Sequence, residues 1–253
     1  MPRLPASERL VSIAAAATEV FGRRGYRGTR TADVAARAGM SAGSLFTYVE
    51  SKAALFHLVF LHGLGLLPEE PPGLPLGTPG PGETFALLEQ ALRETPVPRI
   101  RAALAGDEPA DVAQELRGIV EERYDLIERY WPLLAVIERC AAEMPELDAL
   151  WFGGARAGSY AELGRYLERR MAKGLLRPMP DVTLAARVVT ESVSWFAWHR
   201  HEGRDSALYD DETARRTVIE FACAALMPET ARAAKSLAAG PAPRAAAGRS
   251  HGQ

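Results

Sequence analysis

Apolar residues recur three and four positions apart along most of the chain, which is the pattern of amphipathic helices. No segment shows the alternation of β-branched and polar residues that is typical of a half-buried strand. The pattern therefore predicts an all-α protein. The predicted helices cover residues 7–24, 31–38, 42–48, 51–67, 84–94, 109–141, 147–174, 181–202 and 210–227.

A Pro/Gly-rich segment at 68–82 interrupts the helical pattern, since ten of its fifteen residues are Pro or Gly. Such residues end helices, so we expect a surface loop here; a recognition segment is the less favoured alternative. The predicted organisation is an N-terminal domain over 1–62 and a second helical domain over 63–228, which contains this loop. The Ala-, Gly-, Arg- and Pro-rich tail over 229–253 is expected to be disordered.

Charge is distributed unevenly along the chain, although the net charge is only -2. Residues 1–62 hold eight Lys or Arg against four Asp or Glu, a net of +4, so the remaining residues carry -6. A basic N-terminal domain on an acidic body suggests that the N-terminal domain meets an anion. Chance clustering of solvated charges is the alternative that charge alone leaves open.

The two cysteines, Cys140 and Cys223, lie in apolar helical surroundings. This usage predicts buried, reduced thiols, with a redox sensor as the less favoured alternative. No apolar run approaches the ~20 residues of a membrane span, and the N-terminus lacks a signal-peptide cleavage pattern. We therefore expect a cytoplasmic protein with no membrane partner.

A short turn with a glycine joins the second and third predicted helices, as in a helix-turn-helix. Gly39 can adopt a positive φ at the end of the first of these helices, and Ser41 can cap the next. The helix over 42–48 is then the DNA reader, with Leu45 facing the core. Its exposed hydroxyl-bearing residues suit phosphates or base edges in a major groove.

The run FGRRGYRGTRTADVAARAGMSAGSLFTYVESKAAL resembles the DNA-binding signature of the tetracycline-repressor (TetR) family, and the resemblance extends over residues 13–58. The matching positions are Phe21, Gly25, Tyr26, Gly28, Thr29, Val34, Ala35, Ala38, Gly39, Ser41, Gly43, Leu45, Tyr48, Ser51, Lys52 and Leu55. This resemblance implies a DNA-binding transcriptional regulator, most simply a repressor, that binds an inverted-repeat operator as a homodimer.

DNA contacts follow from the resemblance position by position. The family's contacts fall on Thr31, Ala42, Gly43, Ser44, Phe46, Thr47, Tyr48 and Lys52. Thr29 and Arg30 are added because they begin the helix at 31, whose N-terminal amides can address a phosphate. Three residues depart from the family: Arg30 replaces a usual Thr or Ser, Ala42 a longer polar residue, and Phe46 a usual Tyr, which removes a phosphate-binding hydroxyl.

For the second domain, the resemblance implies dimerisation through the last two helices and an enclosed pocket for a small-molecule effector. The apolar stripes expected at the dimer interface are Ala185, Val188, Val189, Ser192, Trp195 and Phe196, and then Val218, Ile219, Ala222 and Leu226. Packing within one subunit is the alternative. The predicted pocket residues are Tyr124, Ile127, Trp131, Trp151, Phe152, Trp195 and Trp198. Aromatic residues at helical spacing are more often core, so this set is a hypothesis.

Three classes of function remain in view: a ligand-responsive repressor, a helical enzyme, and a DNA-binding protein without a small ligand. The sequence has no nucleophile elbow, P-loop, dinucleotide-binding or HExxH motif, so we expect no catalytic residues and no cofactor. His199 and His201 diverge by about 200° on a helix, so we expect no metal site. We favour the repressor, whose ligand the sequence does not identify.

Overall fold

The computed structural model describes residues 5–70, 73–203, 208 and 210–228. Within these residues the chain is all helical, as predicted, and contains no strand. The helices are α1 (Ala6–Gly28), α2 (Thr31–Arg37), α3 (Ala42–Leu45), α4 (Lys52–Gly63), α5 (Glu83–Glu94), α6 (Pro98–Ala105), α7 (Val112–Ala141), α8 (Pro145–Asp148), α9 (Ala157–Ala172), α10 (Val182–Ala197) and α11 (Asp211–Leu226). The predicted tail at 229–253 lies outside the described residues.

The helix-turn-helix forms where the sequence places it, between α2 and α3. Gly39 has a φ of 67°, which allows the chain to turn after α2 at little steric cost. Ser41 then caps α3, because its hydroxyl accepts a hydrogen bond from the Ser44 backbone nitrogen at 3.1 Å. Val34 and Leu45 are fully buried and fix the two helices against α1.

The reader helix is shorter than predicted. It ends as an α-helix at Leu45, rather than continuing to residue 48. The Thr47 nitrogen donates to the Ser44 carbonyl at 3.2 Å, and the Tyr48 nitrogen donates to the Leu45 carbonyl at 2.9 Å. These bonds span three residues, so the chain tightens into a 3₁₀-like turn at the end of α3.

Two further helix boundaries differ from the predicted ones. Helix α6 was not predicted, because Pro98 was interpreted as a break; proline is tolerated in the first turn, where its missing N–H would have no intrahelical acceptor. The helix predicted over 181–202 ends at Ala197, since Trp198 leaves helical geometry (φ -136°, ψ -69°) and a 3₁₀ turn follows at His199–Glu202.

Helices α8 and α9 are joined by a π-helical segment at Ala149–Arg156, so that residues 145–172 form one continuous rod. The backbone stays in helical geometry at both junctions, including Ala149 (φ -62°, ψ -43°) and Ala157 (φ -61°, ψ -43°). This rod corresponds to the single helix predicted over 147–174. The π-helical segment carries Trp151 and Arg156.

Two apolar cores hold the molecule, and α7 belongs to both. Its second half, including Val136 and Cys140, packs with α1 and α4 in the first core. Its first half, including Leu116 and Val120, packs with α9, α10 and α11 in the second core. With 30 residues, α7 is about 45 Å long at 1.5 Å per residue. The predicted boundary at residue 62 stays a prediction, but the core around the N-terminal helices is completed by α7.

The Pro/Gly-rich loop is attached to the N-terminal helices. The Leu76 nitrogen donates to the Tyr48 carbonyl at 2.8 Å, and the Glu50 nitrogen donates to the Leu76 carbonyl at 3.0 Å. The Glu50 carboxylate also accepts from the Thr78 nitrogen at 2.9 Å. The loop is therefore fastened to the chain directly after the reader helix, and it is more than a plain connection.

Candidate DNA-binding surface and ligand cavity

The reader segment exposes most of the residues predicted to contact DNA. Five of them are exposed: Ala42, Gly43, Ser44, Phe46 and Thr47. Leu45 and Val49, which lie between and after them in the sequence, are buried in the first core. A Cβ at Gly43 would meet only the Ser41 hydroxyl, at 3.9 Å, so glycine is not required there by packing within the chain. Its small size instead leaves room for a close neighbour outside the chain.

The two hydroxyls of the reader segment already form local hydrogen bonds. The Thr47 hydroxyl donates to the Ser44 carbonyl at 2.7 Å, so its proton is used within the turn. The Ser44 hydroxyl shares a hydrogen bond of 2.8 Å with that of Ser41. Each oxygen keeps lone pairs, and Thr47 in this geometry can only accept from a DNA base, for example from an exocyclic amino group.

Arg30 and Lys52, the two cations among the predicted DNA contacts, lie in different surroundings. Arg30 is exposed and forms no ion pair within 4 Å among the described residues. Its backbone nitrogen donates to the Asp33 carboxylate at 3.3 Å, which fixes the start of α2. The Lys52 ammonium is half-buried, 3.4 Å from the Arg27 carbonyl oxygen and 4.7 Å from the centroid of the Tyr26 ring. Lys52 thus also holds the end of α1.

Thr29 does not present its side chain to DNA, contrary to the expectation from sequence. It is 1% exposed, and its hydroxyl donates to the Gly25 carbonyl at 2.7 Å. Gly25 has a φ of 72°, so the helix breaks there and the hydroxyl satisfies a carbonyl that the break releases. Thr31 is half-buried at the start of α2, and Tyr48 is half-buried against the first core.

A cavity of about 500 Å³ lies in the second domain, between α5, α6, α7, α9 and α10. Its wall is largely apolar, with leucine and isoleucine side chains from α5 and α7. Of the predicted pocket residues, Ile127, Trp151 and Trp198 line it. A volume of this size and a mostly apolar wall with a few polar groups are typical of small-molecule sites.

The other four predicted pocket residues do not line the cavity. Tyr124 is buried in the second core, and its hydroxyl donates to the Phe196 carbonyl at 3.3 Å. Trp131 lies seven residues further along the same face of α7 and stacks on His201. Phe152 and Trp195 are 40% and 42% exposed. The apolar periodicity predicted that these four residues lie on apolar helix faces, but it could not show which face of each helix lines the cavity.

A polar cluster at the cavity wall is centred on Arg156. Its guanidinium pairs with Glu138 at 2.8 Å and with Glu191 at 2.9 Å. The Tyr160 hydroxyl donates to the same Glu191 carboxylate at 2.5 Å. Burial acts to raise the pKa of Glu191, but the hydrogen bonds from Tyr160 and Arg156 outweigh it and lower that pKa. The cluster was missed from sequence, because its members come from α7, the π-helical segment, α9 and α10.

The cavity and the DNA-binding helices are connected through α7. Tyr130 and Ile137 of α7 line the cavity. Just after the end of the same helix, the Glu143 carboxylate accepts a hydrogen bond from the Arg27 backbone nitrogen at 2.6 Å. A Cβ at Gly25 would lie 2.6 Å from the same carboxylate, so the contact also depends on glycine at the break in α1.

An apolar strip on α10 and α11 is exposed in the single subunit. It comprises Leu184, Val188 and Trp195 on α10 and Phe221 on α11, exposed by 59%, 54%, 42% and 67%. The predicted α11 stripe faces inward instead, since Val218, Ile219, Ala222 and Leu226 are buried in the second core. Ala185 and Val189 are likewise buried within the subunit. None of the described helices combines the length and apolar character needed to cross a membrane.

Comparison with known proteins adds a family and a fold. Residues 13–59 match the family described as "Bacterial regulatory proteins, tetR family". No curated protein shows a significant sequence match to the chain. Among solved structures, the ketosteroid transcriptional regulator KstR2 of Mycobacterium tuberculosis is similar, with a TM-score of 0.52, 19% identity, and coverage of 87% of this chain and 96% of KstR2. This likeness is one of fold.

Two further solved structures match at lower similarity. AibR in complex with isovaleryl coenzyme A and operator DNA has a TM-score of 0.47 and 19% identity, and the match covers 84% of this chain and 97% of AibR. The transcriptional regulator FadR from Bacillus subtilis in complex with stearoyl-CoA has a TM-score of 0.43 and 16% identity, with coverage of 84% and 96%.

Proposed function

Because the chain belongs, through its N-terminal domain, to the tetR family of bacterial regulatory proteins, we propose that it is a repressor that a small molecule releases from its operator. The DNA contacts in this proposal are Arg30, Thr31, the exposed reader residues 42–44, 46 and 47, and Tyr48 and Lys52. Thr29 is left out because its side chain is buried. The effector is proposed to occupy the cavity beside α7.

The observation that carries this proposal is the path from the cavity to the reader helix. Helix α7 forms part of the cavity wall, and just after its end Glu143 accepts a hydrogen bond from the Arg27 backbone nitrogen in the last turn of α1, the helix that precedes α2. A ligand that shifts α7 therefore changes the position of the helix-turn-helix without touching it. Coupling of this kind requires only that the ligand prefer one of two arrangements of α7.

The exposed strip of Leu184, Val188, Trp195 and Phe221 supports a dimer through α10 and α11. These large apolar side chains are exposed on two helices that pack against each other. Exposed apolar surface of this kind marks interaction sites, and pairs of helices from two subunits commonly form a four-helix interface. A two-fold dimer presents two reader helices related by symmetry. The operator is then an inverted repeat, with half-sites about 34–36 Å apart or a multiple of that distance.

The experiment that tests this function has two steps. Fragments bound by the protein are first selected from random DNA and footprinted, and small molecules are then screened for release of the selected fragment. Protection of an inverted repeat and release by at least one compound support the proposal. A single asymmetric half-site contradicts the dimeric arrangement, and binding that no small molecule alters favours a regulator controlled by a partner or by its own concentration.

A further inference from the structure

Three buried polar atoms at the cavity wall lack a hydrogen-bond partner within the described part of the chain: Arg123 Nε, Thr190 Oγ1 and Trp198 Nε1. Thr190 and Trp198 are 6% and 4% exposed. Buried polar groups are nearly always hydrogen-bonded, so three unsatisfied polar atoms at the wall of one cavity require an explanation. The guanidinium and indole N–H groups can only donate, and the threonine hydroxyl can donate as well. The wall therefore suits a group rich in acceptors.

Arg123 adds a positive charge to these donors. Its guanidinium contacts Ser159, through the hydroxyl and through the carbonyl at 3.4 Å. No carboxylate lies within 4 Å of it among the described residues. Burial lowers the pKa of Arg123, although Glu162 and Glu122 act through space in the opposite direction. Arginine nonetheless stays protonated at neutral pH, so a half-buried cation lines the cavity without a direct counterion among the described residues.

The other charges that line the cavity are better satisfied. Arg156 is paired with both Glu138 and Glu191. Glu122 accepts hydrogen bonds from the backbone nitrogens of Arg99 and Ile100, at 2.9 and 3.5 Å, and so fixes the start of α6. Arg101, also at the wall, is exposed and donates to the Thr95 carbonyl at 3.5 Å, and Glu162 acts on Arg123 only through space. Arg123 is therefore the less exposed of the two wall arginines that form no ion pair among the described residues.

The rest of the wall indicates what is attached to the acceptor group. Apolar side chains from α5 and α7 surround the space, among them Leu88, Ile119, Leu126 and Ile137. About 500 Å³ is far more than a small inorganic anion fills, and burial of a carbon skeleton against these residues is favourable. The ligand therefore has an apolar body and one acceptor-rich end.

We propose that the cavity binds an amphipathic carboxylate, with the carboxylate at Arg123 and Thr190 and the apolar body against α5 and α7. Thr190 lies on α10, which packs on α7, the helix that carries Arg123. Trp198 follows the end of α10, about 12 Å further along the helix axis, and offers its N–H to another part of the ligand. A carboxylate has lone pairs for both the guanidinium and the hydroxyl, and its bond to a guanidinium is charge-assisted. This inference rests on the proposed function, in which the cavity holds the effector.

The test compares acids with alcohols of the same skeleton. Binding of octanoate and 4-phenylbutyrate to the full chain is measured by calorimetry beside 1-octanol and 4-phenylbutan-1-ol. We expect the better-fitting carboxylate to bind about tenfold or more tightly than its alcohol, the ratio that a single charge-assisted hydrogen bond supports. Arg123→Met should abolish this preference, Arg123→Lys should keep part of it, and Thr190→Val should reduce it.

Arg117→Met is the matched control. Arg117 lies on the same helix but pairs with Glu220 of α11 and does not line the cavity, so the preference should persist in this variant. Thermal unfolding of each variant identifies any loss of folding, and Arg123→Lys and Thr190→Val keep the proposal testable if Arg123→Met does not fold. Equal binding of acid and alcohol, no binding by any of the four probes, or a preference unchanged in all Arg123 and Thr190 variants overturns it.

Operator release, measured separately, distinguishes this inference from the proposed function. A carboxylate that binds through Arg123 but does not release the selected DNA contradicts the proposed function and leaves the ligand class standing. A neutral effector that releases DNA equally from wild-type and Arg123→Lys protein overturns the ligand class and leaves the proposed function standing.

Discussion

The Glu143 carboxylate accepts a hydrogen bond of 2.6 Å from the backbone nitrogen of Arg27, 116 residues earlier in the chain. Arg27 follows the break in α1 at Gly25 and precedes α2, the first helix of the helix-turn-helix. Glu143 follows α7, whose middle lines the cavity. This contact therefore joins the helix that lines the cavity to the helices that are proposed to bind DNA.

Glu143→Ala should weaken the response to effector more than it weakens DNA binding. Removing the carboxylate loosens the last turn of α1, which leads into α2, from the end of α7, so ligand-induced motion is transmitted less well, by about 0.5–2 kcal/mol of coupling. Operator affinity is measured with and without effector, and the ratio is compared with wild type. Glu146→Ala, an exposed carboxylate three residues later, is the control. An unchanged ratio in Glu143→Ala would place the coupling elsewhere.

Arg30 and Thr47 should have different effects on DNA recognition. Arg30→Ala removes an exposed cation, so we expect weaker binding to every sequence and a salt dependence lower by about 0.9 in log–log slope. Thr47→Ala removes an acceptor on the reader turn, so we expect a changed base preference that costs ~1–3 kcal/mol at the contacted pair. The measurement is a binding series over operator variants at several salt concentrations.

Arg93→Ala provides the control for this series, because Arg93 is an exposed arginine on α5 that pairs with Glu89 outside the proposed DNA surface. It should change neither the salt slope nor the base preference. The opposite pattern, with Arg30→Ala altering base preference and Thr47→Ala leaving it intact, would refute the roles assigned to the two residues.

The hydrogen bond between Glu50 and Thr78 should hold the Pro/Gly-rich loop against the chain that follows the reader helix. Glu50→Ala removes the acceptor for the Thr78 nitrogen, so residues 73–82 should detach more readily from the reader turn, with a loss of about 0.5–1.5 kcal/mol. Faster cleavage by proteinase K within 73–82, measured on the folded protein, is the expected result. Glu69→Ala, at an exposed position in the same loop, should not accelerate cleavage.

Phe221→Glu and Ile219→Glu, two residues apart on α11, should give different defects. Phe221 is 67% exposed, so its replacement should leave the subunit folded and weaken the proposed dimer by about 2 kcal/mol or more. Ile219 is 1% exposed within one subunit, so a charge there should prevent folding. Analytical ultracentrifugation measures the loss of dimer in Phe221→Glu, and circular dichroism measures the loss of folding in Ile219→Glu. Val11→Glu, at another exposed apolar residue, is the control. If Phe221→Glu forms dimers as well as Val11→Glu does, the dimer interface does not include this face of α11.

Cys140 should be unreactive in the native protein. Burial raises the pKa of its thiol to about 12, with the nearby Glu143 carboxylate acting in the same direction. The thiolate is thus scarce at pH 8, and a thiol reagent should modify Cys140 only after unfolding. Because the folded pKa is raised, the stabilisation is present below the ordinary thiol pKa and is lost as pH rises towards 12. Rapid labelling of the folded protein at pH 8 in a Cys223→Ser background would contradict this.

Much of the N-terminal domain was predictable from sequence, because its structure depends on local signals. Gly39 adopts the positive φ that a turn requires, and Ser41 caps the helix that follows. The apolar spacing of Leu45 and Val49 fixes which face of the reader segment is buried and, by exclusion, which is exposed. These features follow from a few neighbouring residues, and the resemblance to a known family rests on the same positions.

Other features were decided only by tertiary packing. Periodicity showed that α7 and α11 are amphipathic, but it could not tell that Tyr124 faces the core while Ile127 faces the cavity, or that Ile219 turns inward. From sequence, Thr29 is a candidate DNA contact because it precedes α2. In the structure its side chain is buried, since the helix break at Gly25 leaves a carbonyl that accepts the hydrogen bond of the Thr29 hydroxyl. The environment of Arg123 depends on residues from several helices, so its missing counterion has no local signature. A sequence specifies which residues share a helix face, and only packing of the helices decides what that face meets.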